Sequence, residues 1–172
     1  GRDRALDTAG GAAQRADGSE EPPKLGVGGL DPLKGEWLKL SPGGPAPARP
    51  PADLGRTLAE LSEAIRRNPA DAAGYLARGR VHVAAGDLDA AEADFTEAVR
   101  LKPAAADGYV LRALTHAARG RLDRAAGDCD RAVAAAPADG AVLGLRAAVR
   151  FNRGEHDRAV EDCDAALKID PK

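Results

Sequence analysis

The sequence predicts an all-α array of antiparallel helix pairs, and three observations predict it. Proline recurs at Pro69, Pro103, Pro137 and Pro171, each 34 residues after the last, and Gly86, Gly120 and Gly154 keep the same spacing. Alanine follows in phase at Ala91, Ala125 and Ala159, and again at Ala98, Ala132 and Ala166. Columns this regular do not arise by chance, and a period of this size marks units that stack into one continuous core.

Each unit reads as two helices. In the first, Ala72–Ala85 holds Tyr75, Leu76, Val81 and Val83 among good helix formers and stops at Gly86, a residue suited to the left-handed backbone that closes helices. A second helix starts near Asp89, whose carboxylate suits the positive end of a helix, and Asp123 and Asp157 repeat that start. Leu88, Ala91, Phe95, Ala98, Val99 and Leu101 then recur at helical spacing down one face. Pro103 ends the helix, because the residue before a proline is pushed out of the α region. Small residues in fixed columns let neighbouring helices approach to about 8–10 Å.

These columns resemble the tetratricopeptide repeat. Its unit has a large residue early in the first helix, a small one a turn later, a turn glycine, alanines in the second helix and a closing proline. Here the columns read Tyr75/Tyr109/Leu143, Gly79/Ala113/Ala147, Gly86/Gly120/Gly154, Ala91/Ala125/Ala159, Phe95/Cys129/Cys163 and Pro103/Pro137/Pro171. The resemblance implies a right-handed superhelix over residues 53–172, with full repeats at 70–103, 104–137 and 138–171. Residues 53–69 fit the second helix of an earlier unit, with Leu61 and Ala64 in the Phe95 and Ala98 columns, which brings the expectation to about seven helices.

Ahead of the array, residues 1–52 read as a low-complexity tail. Residues 1–24 lack periodicity and are expected to be disordered, and the proline-rich stretch 41–51 reads as an extended linker. Between them Lys24–Leu40 forms an apolar island with the only tryptophan, Trp37. Because the chain opens on glycine, a fragment or processed chain is expected, with room for an upstream domain or signal.

Composition narrows the function classes. Hydrophobic residues make up 44%, much of it alanine, aromatic residues only 3%, and methionine is absent, so the core must come from close packing of small side chains. A net charge of −2 without a Lys/Arg cluster gives no electrostatic footprint for nucleic acid. Nothing approaches the roughly 20 apolar residues of a membrane span. Ser19, Ser41 and Ser62 have no histidine nearby in sequence, and the glycines within Leu25–Leu30 lack the strand-then-helix context of a phosphate loop. No enzyme activity, cofactor or metal is expected.

One column departs from the family pattern. Arg78, Arg112 and Arg146 stand where leucine is common, and Asp94, Asp128 and Asp162 follow 16 residues later, with Glu60 in that acidic column of the half repeat. A ladder of Arg–carboxylate pairs along the stack is expected, rather than an arginine row for anionic ligands. Cys129 and Cys163 share a column one repeat apart, too far for a disulfide, and are expected to be free, buried thiols in the place of Phe95. His82 and His116 share another column and His156 lies near a turn; all three read as packing or solvated side chains.

The resemblance further implies that first helices line a concave, ligand-binding face. Its residues would be Leu76, Ala77, Arg80 and Val83, then Val110, Leu111, Leu114 and Ala117, then Leu145, Ala148 and Phe151. The subfamily that grips acidic chaperone tails uses lysine, arginine and asparagine at the places held here by Leu76, Arg80, Leu111, Ala141 and Leu145. Only Arg80 is basic, which argues against a carboxylate clamp. The expected partner is a protein or peptide with an apolar face, because large apolar patches are rarely left open to water. The Leu25–Leu40 segment is the alternative occupant by intramolecular docking. The outer face of Ala159–Leu167, with Val160 and Leu167, is expected to be uncapped and open to self-association. From another class, the chain would be a regulatory or oligomerisation module of a larger, possibly enzymatic, protein.

Overall fold

A single backbone device closes every hairpin. Gly86, Gly120 and Gly154 take positive φ angles of 81°, 70° and 80°, a region open to glycine at no steric cost. The following N–H then turns back onto the helix just ended: Asp87 onto the His82 carbonyl, Arg121 onto His116 and Glu155 onto Arg150, each at 2.9 Å. The computed structural model describes residues 54–171, and within them the device joins α2 (Ala72–Ala84) to α3 (Leu88–Leu101), α4 (Ala106–Ala118) to α5 (Leu122–Ala135), and α6 (Gly140–Asn152) to α7 (His156–Ile169). α1 (Leu54–Arg67) precedes them as a lone second-type helix, making seven helices and no strand among the described residues. The tail, the linker and the docking of Leu25–Leu40 lie outside the described residues.

Helix starts differ from the expected ones by a residue or two. The side chains of Asp71, Asp87 and Asp139 cap α2, α3 and α6 by accepting from backbone N–H groups at 2.9–3.3 Å. Asp89, Asp123 and Asp157 lie just inside, in the first turns, where they complement the helix dipole. Ahead of the closing prolines, Lys102, Ala136 and Asp170 leave the helical region with ψ of 71°, 70° and 97°.

Consecutive helices pack throughout the described residues, and the first helices also touch each other, α2 with α4 and α4 with α6. The first helices are therefore the crowded inner layer of a curved stack. Residue size is traded across the hairpin crossings. A Cβ on Gly79 would lie 2.5 Å from the Phe95 ring, whereas the next repeat places Ala113 against Cys129 in the same two columns. Phe95 is fully buried with Ala91 and Leu111, which is worth about 2–3 kcal/mol of apolar burial.

The arginine ladder forms, and each rung holds three helices. Arg78, Arg112 and Arg146 each grip the aspartate 16 residues on with two hydrogen bonds of 2.6–3.0 Å. The remaining Nη1 reaches 16 residues back, to Ser62, Thr96 and Asp130 on the preceding repeat's second helix, at 3.1–3.2 Å. The aspartates are nearly buried, and their hydrogen bonds raise the pKa of all three arginines. Arg78 and Arg112 also lie over the Tyr75 and Tyr109 rings, 5.8 and 6.0 Å from the centroids.

A histidine column runs beside the ladder. His116 is buried, with Nε2 3.7 Å from Asp128 and Nδ1 3.9 Å from Glu92, and that Nδ1 has no hydrogen-bond partner. Burial lowers its pKa below the ordinary 6.5, against the pull of Glu92 and Asp128, with Arg112 and Arg124 adding to the lowering. In the third repeat Arg150 takes this place and bonds Asp162 at 2.8 Å.

The cysteine expectation holds for one residue and fails for the other. Both thiols are free, but Cys129 is buried while Cys163 is exposed. The column is closed from the next repeat: Leu111 of α4 covers Phe95, and Val149 of α6 packs in the cluster of Cys129. Among the described residues no helix does this for α7.

Unfolding in urea and by heat checks these contacts. Arg112→Ala leaves the buried Asp128 carboxylate uncompensated and is expected to cost about 3 kcal/mol. Arg67→Ala, which removes an exposed pair with Glu63, should leave the urea midpoint unchanged. Gly79→Ala forces a methyl into Phe95 and should cost about 1–3 kcal/mol. For His116 the folded pKa lies below the unfolded one, so the unfolded chain takes the proton first as pH falls through about 6.5. Stability present above that pH is lost below it, and the melting temperature of His116→Gln should fall less than that of the parent between about pH 7 and 5.

Candidate functional site

The inner layer offers the surface on which the expected binding residues should lie, and burial sorts them into two groups. Leu111 is 1% exposed and Val110 5%. Leu111 packs with Ala91 and Phe95, and Val110 with Tyr109 and Val142. Their side chains hold the repeats together and offer no surface to a ligand, contrary to the expectation. α4 is pressed between α3 on one side and α5 and α6 on the other, so family register alone misplaces what its middle turn shows to solvent.

The other expected residues are half-buried: Leu76, Arg80 and Val83 on α2, Leu114 on α4, and Leu145, Ala148 and Phe151 on α6. Ala77 and Ala117 share that state. Leu76 and Val83 rest on the Phe95 cluster, while Leu145 bridges the two clusters built around Cys129 and Tyr109. Phe151 meets His156 edge-on at 4.8 Å, which fixes the ring at the far end of α6. Leu76, Val83, Leu114, Ala117 and Leu145 thus have one flank seated in the core and one left over.

Charge sets one residue apart. On the first helices and their caps, Arg78, Arg112, Arg119, Arg146, Arg150 and Arg153 all hold acidic partners. Arg80 has none among the described residues, and its Nε is buried without an acceptor. The Nε is sealed from a ligand, so an incoming carboxylate or carbonyl would meet the outer Nη groups, which hold no acid of their own. The sequence points to Arg80 but not to its isolation, because isolation depends on which acids the other arginines consume. Among the described residues no group of three His, Cys, Asp or Glu side chains is placed to hold a metal ion.

Comparison with known proteins agrees with this architecture. The tetratricopeptide repeat family model matches residues 53–106, 76–140 and 110–172. No curated protein matches the chain at a significant level. Among solved structures, MamA superposes with a TM-score of 0.64 at 19% identity, over 69% of this chain and 70% of that one. TTC0263, a thermophilic tetratricopeptide repeat protein of Thermus thermophilus, gives 0.62 at 23% identity, over 69% and 66%. The second repeat domain of Spaghetti (RPAP3), bound to the HSP90 peptide SRMEEVD, gives 0.56 at 21% identity, over 63% of this chain and 99% of that one. Identities this low establish the fold. Proteins of this fold generally mediate protein–protein interactions and are generally non-enzymatic scaffolds. The family matches overlap from the first described helix to the last, and the chain belongs to the tetratricopeptide repeat family.

Proposed function

We propose that the chain is an adaptor that holds a peptide or helix against its inner layer of first helices. The observation that carries the reading is Arg80, a guanidinium without an acidic partner on α2, in a layer of first helices that also carries the half-buried Leu76, Val83, Leu114, Leu145, Ala148 and Phe151. A complementary ligand has apolar residues for the row and one acceptor, best a carboxylate, for Arg80. Its chemistry differs from that of a peptide such as SRMEEVD, with its paired glutamates and terminal acidic residue. The clamp places Leu76, Ala141 and Leu145 carry no charge here, and Leu111 is closed off.

Selection from a random peptide library tests this directly. Enriched sequences should place one acidic residue beside two or more apolar ones. Arg80→Glu should weaken them by about tenfold or more, the worth of a charge-assisted hydrogen bond, and Ala148→Asp should do likewise. Both positions lie outside the buried clusters, so circular dichroism should show unchanged helical content. Peptides that bind Arg80→Glu as tightly as the parent would overturn the reading. Leu111→Asp is not informative here, since it opens the core.

A further inference from the structure

The second repeat carries two guanidiniums that its carboxylates leave unspent. Glu92 of α3 accepts from Arg119 and Arg121 through one oxygen, at 3.0 and 2.9 Å. Arg124 of α5 stands 3.8 Å from the other oxygen, beyond hydrogen-bond reach. Two turns further along α5, Arg131 is exposed and has no acidic partner among the described residues. Both arginines line an open cleft of about 440 Å³ in the middle of the stack, with Val99 of α3 on its far side. Its buried floor is Tyr109 and His116 of α4 and Asp128 of α5. Asp128 is the one carboxylate lining it, and Arg112 holds both of its oxygens. The cleft is therefore left positive by Arg124 and Arg131.

Gly127 lies between these two arginines and lines the same cleft. A glycine inside a helix is destabilising, and a Cβ here would meet nothing within 4 Å, so packing gives no reason for it. The other repeats close the same stripe with an acid. The columns of Arg124, Gly127 and Arg131 read Ala90, Ala93 and Glu97 in the first repeat, and Arg158, Glu161 and Ala165 in the third. The second alone sets two arginines on either side of a residue without a side chain.

We propose that this cleft binds a phosphate group, clasped over Gly127 by Arg124 and Arg131. The three residues stand at i, i+3 and i+7 on one stripe of α5, so a group seated over Gly127 lies roughly 5 Å along the axis from each arginine, within reach of both. A phosphate suits them better than a carboxylate does. It brings close to two negative charges against two guanidiniums, and its three oxygens accept from both forks at once. A carboxylate has one charge, and the one already present, Glu92, leaves Arg124 unbonded. The site depends neither on Arg80 nor on the apolar row of the first helices.

Three probes are titrated into the whole chain at fixed ionic strength: inorganic phosphate, and two blocked pentapeptides that carry phosphoserine or glutamate between glycines. Amide resonances of residues 124–131 report the site. The phosphoserine peptide should shift them saturably. Arg124→Gln and Arg131→Gln should each weaken it about fivefold, the upper worth of an exposed ion pair, and the two together should remove it. Gly127→Glu, which installs the acid of the third repeat, should abolish binding without lowering the melting temperature, because the new side chain enters open space. Arg158→Gln removes an arginine as exposed as Arg124 from the same column of α7, and should leave the affinity unchanged. A phosphopeptide that binds more tightly than inorganic phosphate assigns the site to a phosphorylated side chain of a partner, and the reverse order assigns it to free phosphate. The proposal fails if no saturation is seen by about 20 mM phosphopeptide. It fails equally if Arg131→Gln binds as well as the parent, or if Arg158→Gln weakens binding as much as Arg124→Gln does. A glutamate peptide that binds as tightly as the phosphopeptide overturns the phosphate chemistry and leaves the cleft to any carboxylate, those of this chain included.

Discussion

The fold depends on a guanidinium that touches three helices at once. In each repeat one arginine grips an aspartate of its own hairpin with a planar fork and spends its last N–H on the hairpin before it. The first contact fixes how the two helices of a unit cross, and the second fixes how far each unit slides along its neighbour. Alanine-rich surfaces are smooth and make poor registers, since small side chains interdigitate weakly. A chain this poor in large side chains needs a directional bond where a bulkier repeat would use leucine. The bracket answers that need, and burial makes it demanding, because either partner alone would be left as an unpaired buried charge.

Much of this is readable from spacing. The 34-residue period gives the hairpins, and a 16-residue step from arginine to aspartate gives the inner half of each bracket. The outer half is equally regular, since Ser62, Thr96 and Asp130 stand 16 residues before the arginines, but their differing chemistry hides the column. Only the shared ability to accept a hydrogen bond unites a serine, a threonine and an aspartate. Helix caps are hard to place for a related reason: Asp87 and Asp89 are equivalent as composition, and the chain's exit angle decides which one turns its oxygen onto an N–H.

Exposure is the least legible property. Leu111 looks like a groove residue by register and is sealed, while Cys163 looks like a core residue by register and is open. Both reversals come from neighbours one repeat away. A periodic sequence specifies what each unit is and leaves out where in the stack it sits. The middle unit is enclosed on both sides and the last on one, so a single column holds a core residue in one copy and a surface residue in the next. Arg80 has no counterpart in its column, where Leu114 and Ala148 stand in the later repeats, and α1 supplies Ser62 to Arg78 and no acid to Arg80.

The column that holds His116 in the second repeat holds Arg150 in the third, and this makes the array chemically graded along its axis. An imidazole gains charge in mildly acidic water, whereas a guanidinium is charged at every pH a protein meets. Units alike in shape therefore differ in how they answer acid. Acidification costs the second repeat stability, because its buried ring resists a proton that the unfolded chain accepts. The loss falls on the second repeat, while the equivalent place in the third carries a charge that pH does not change.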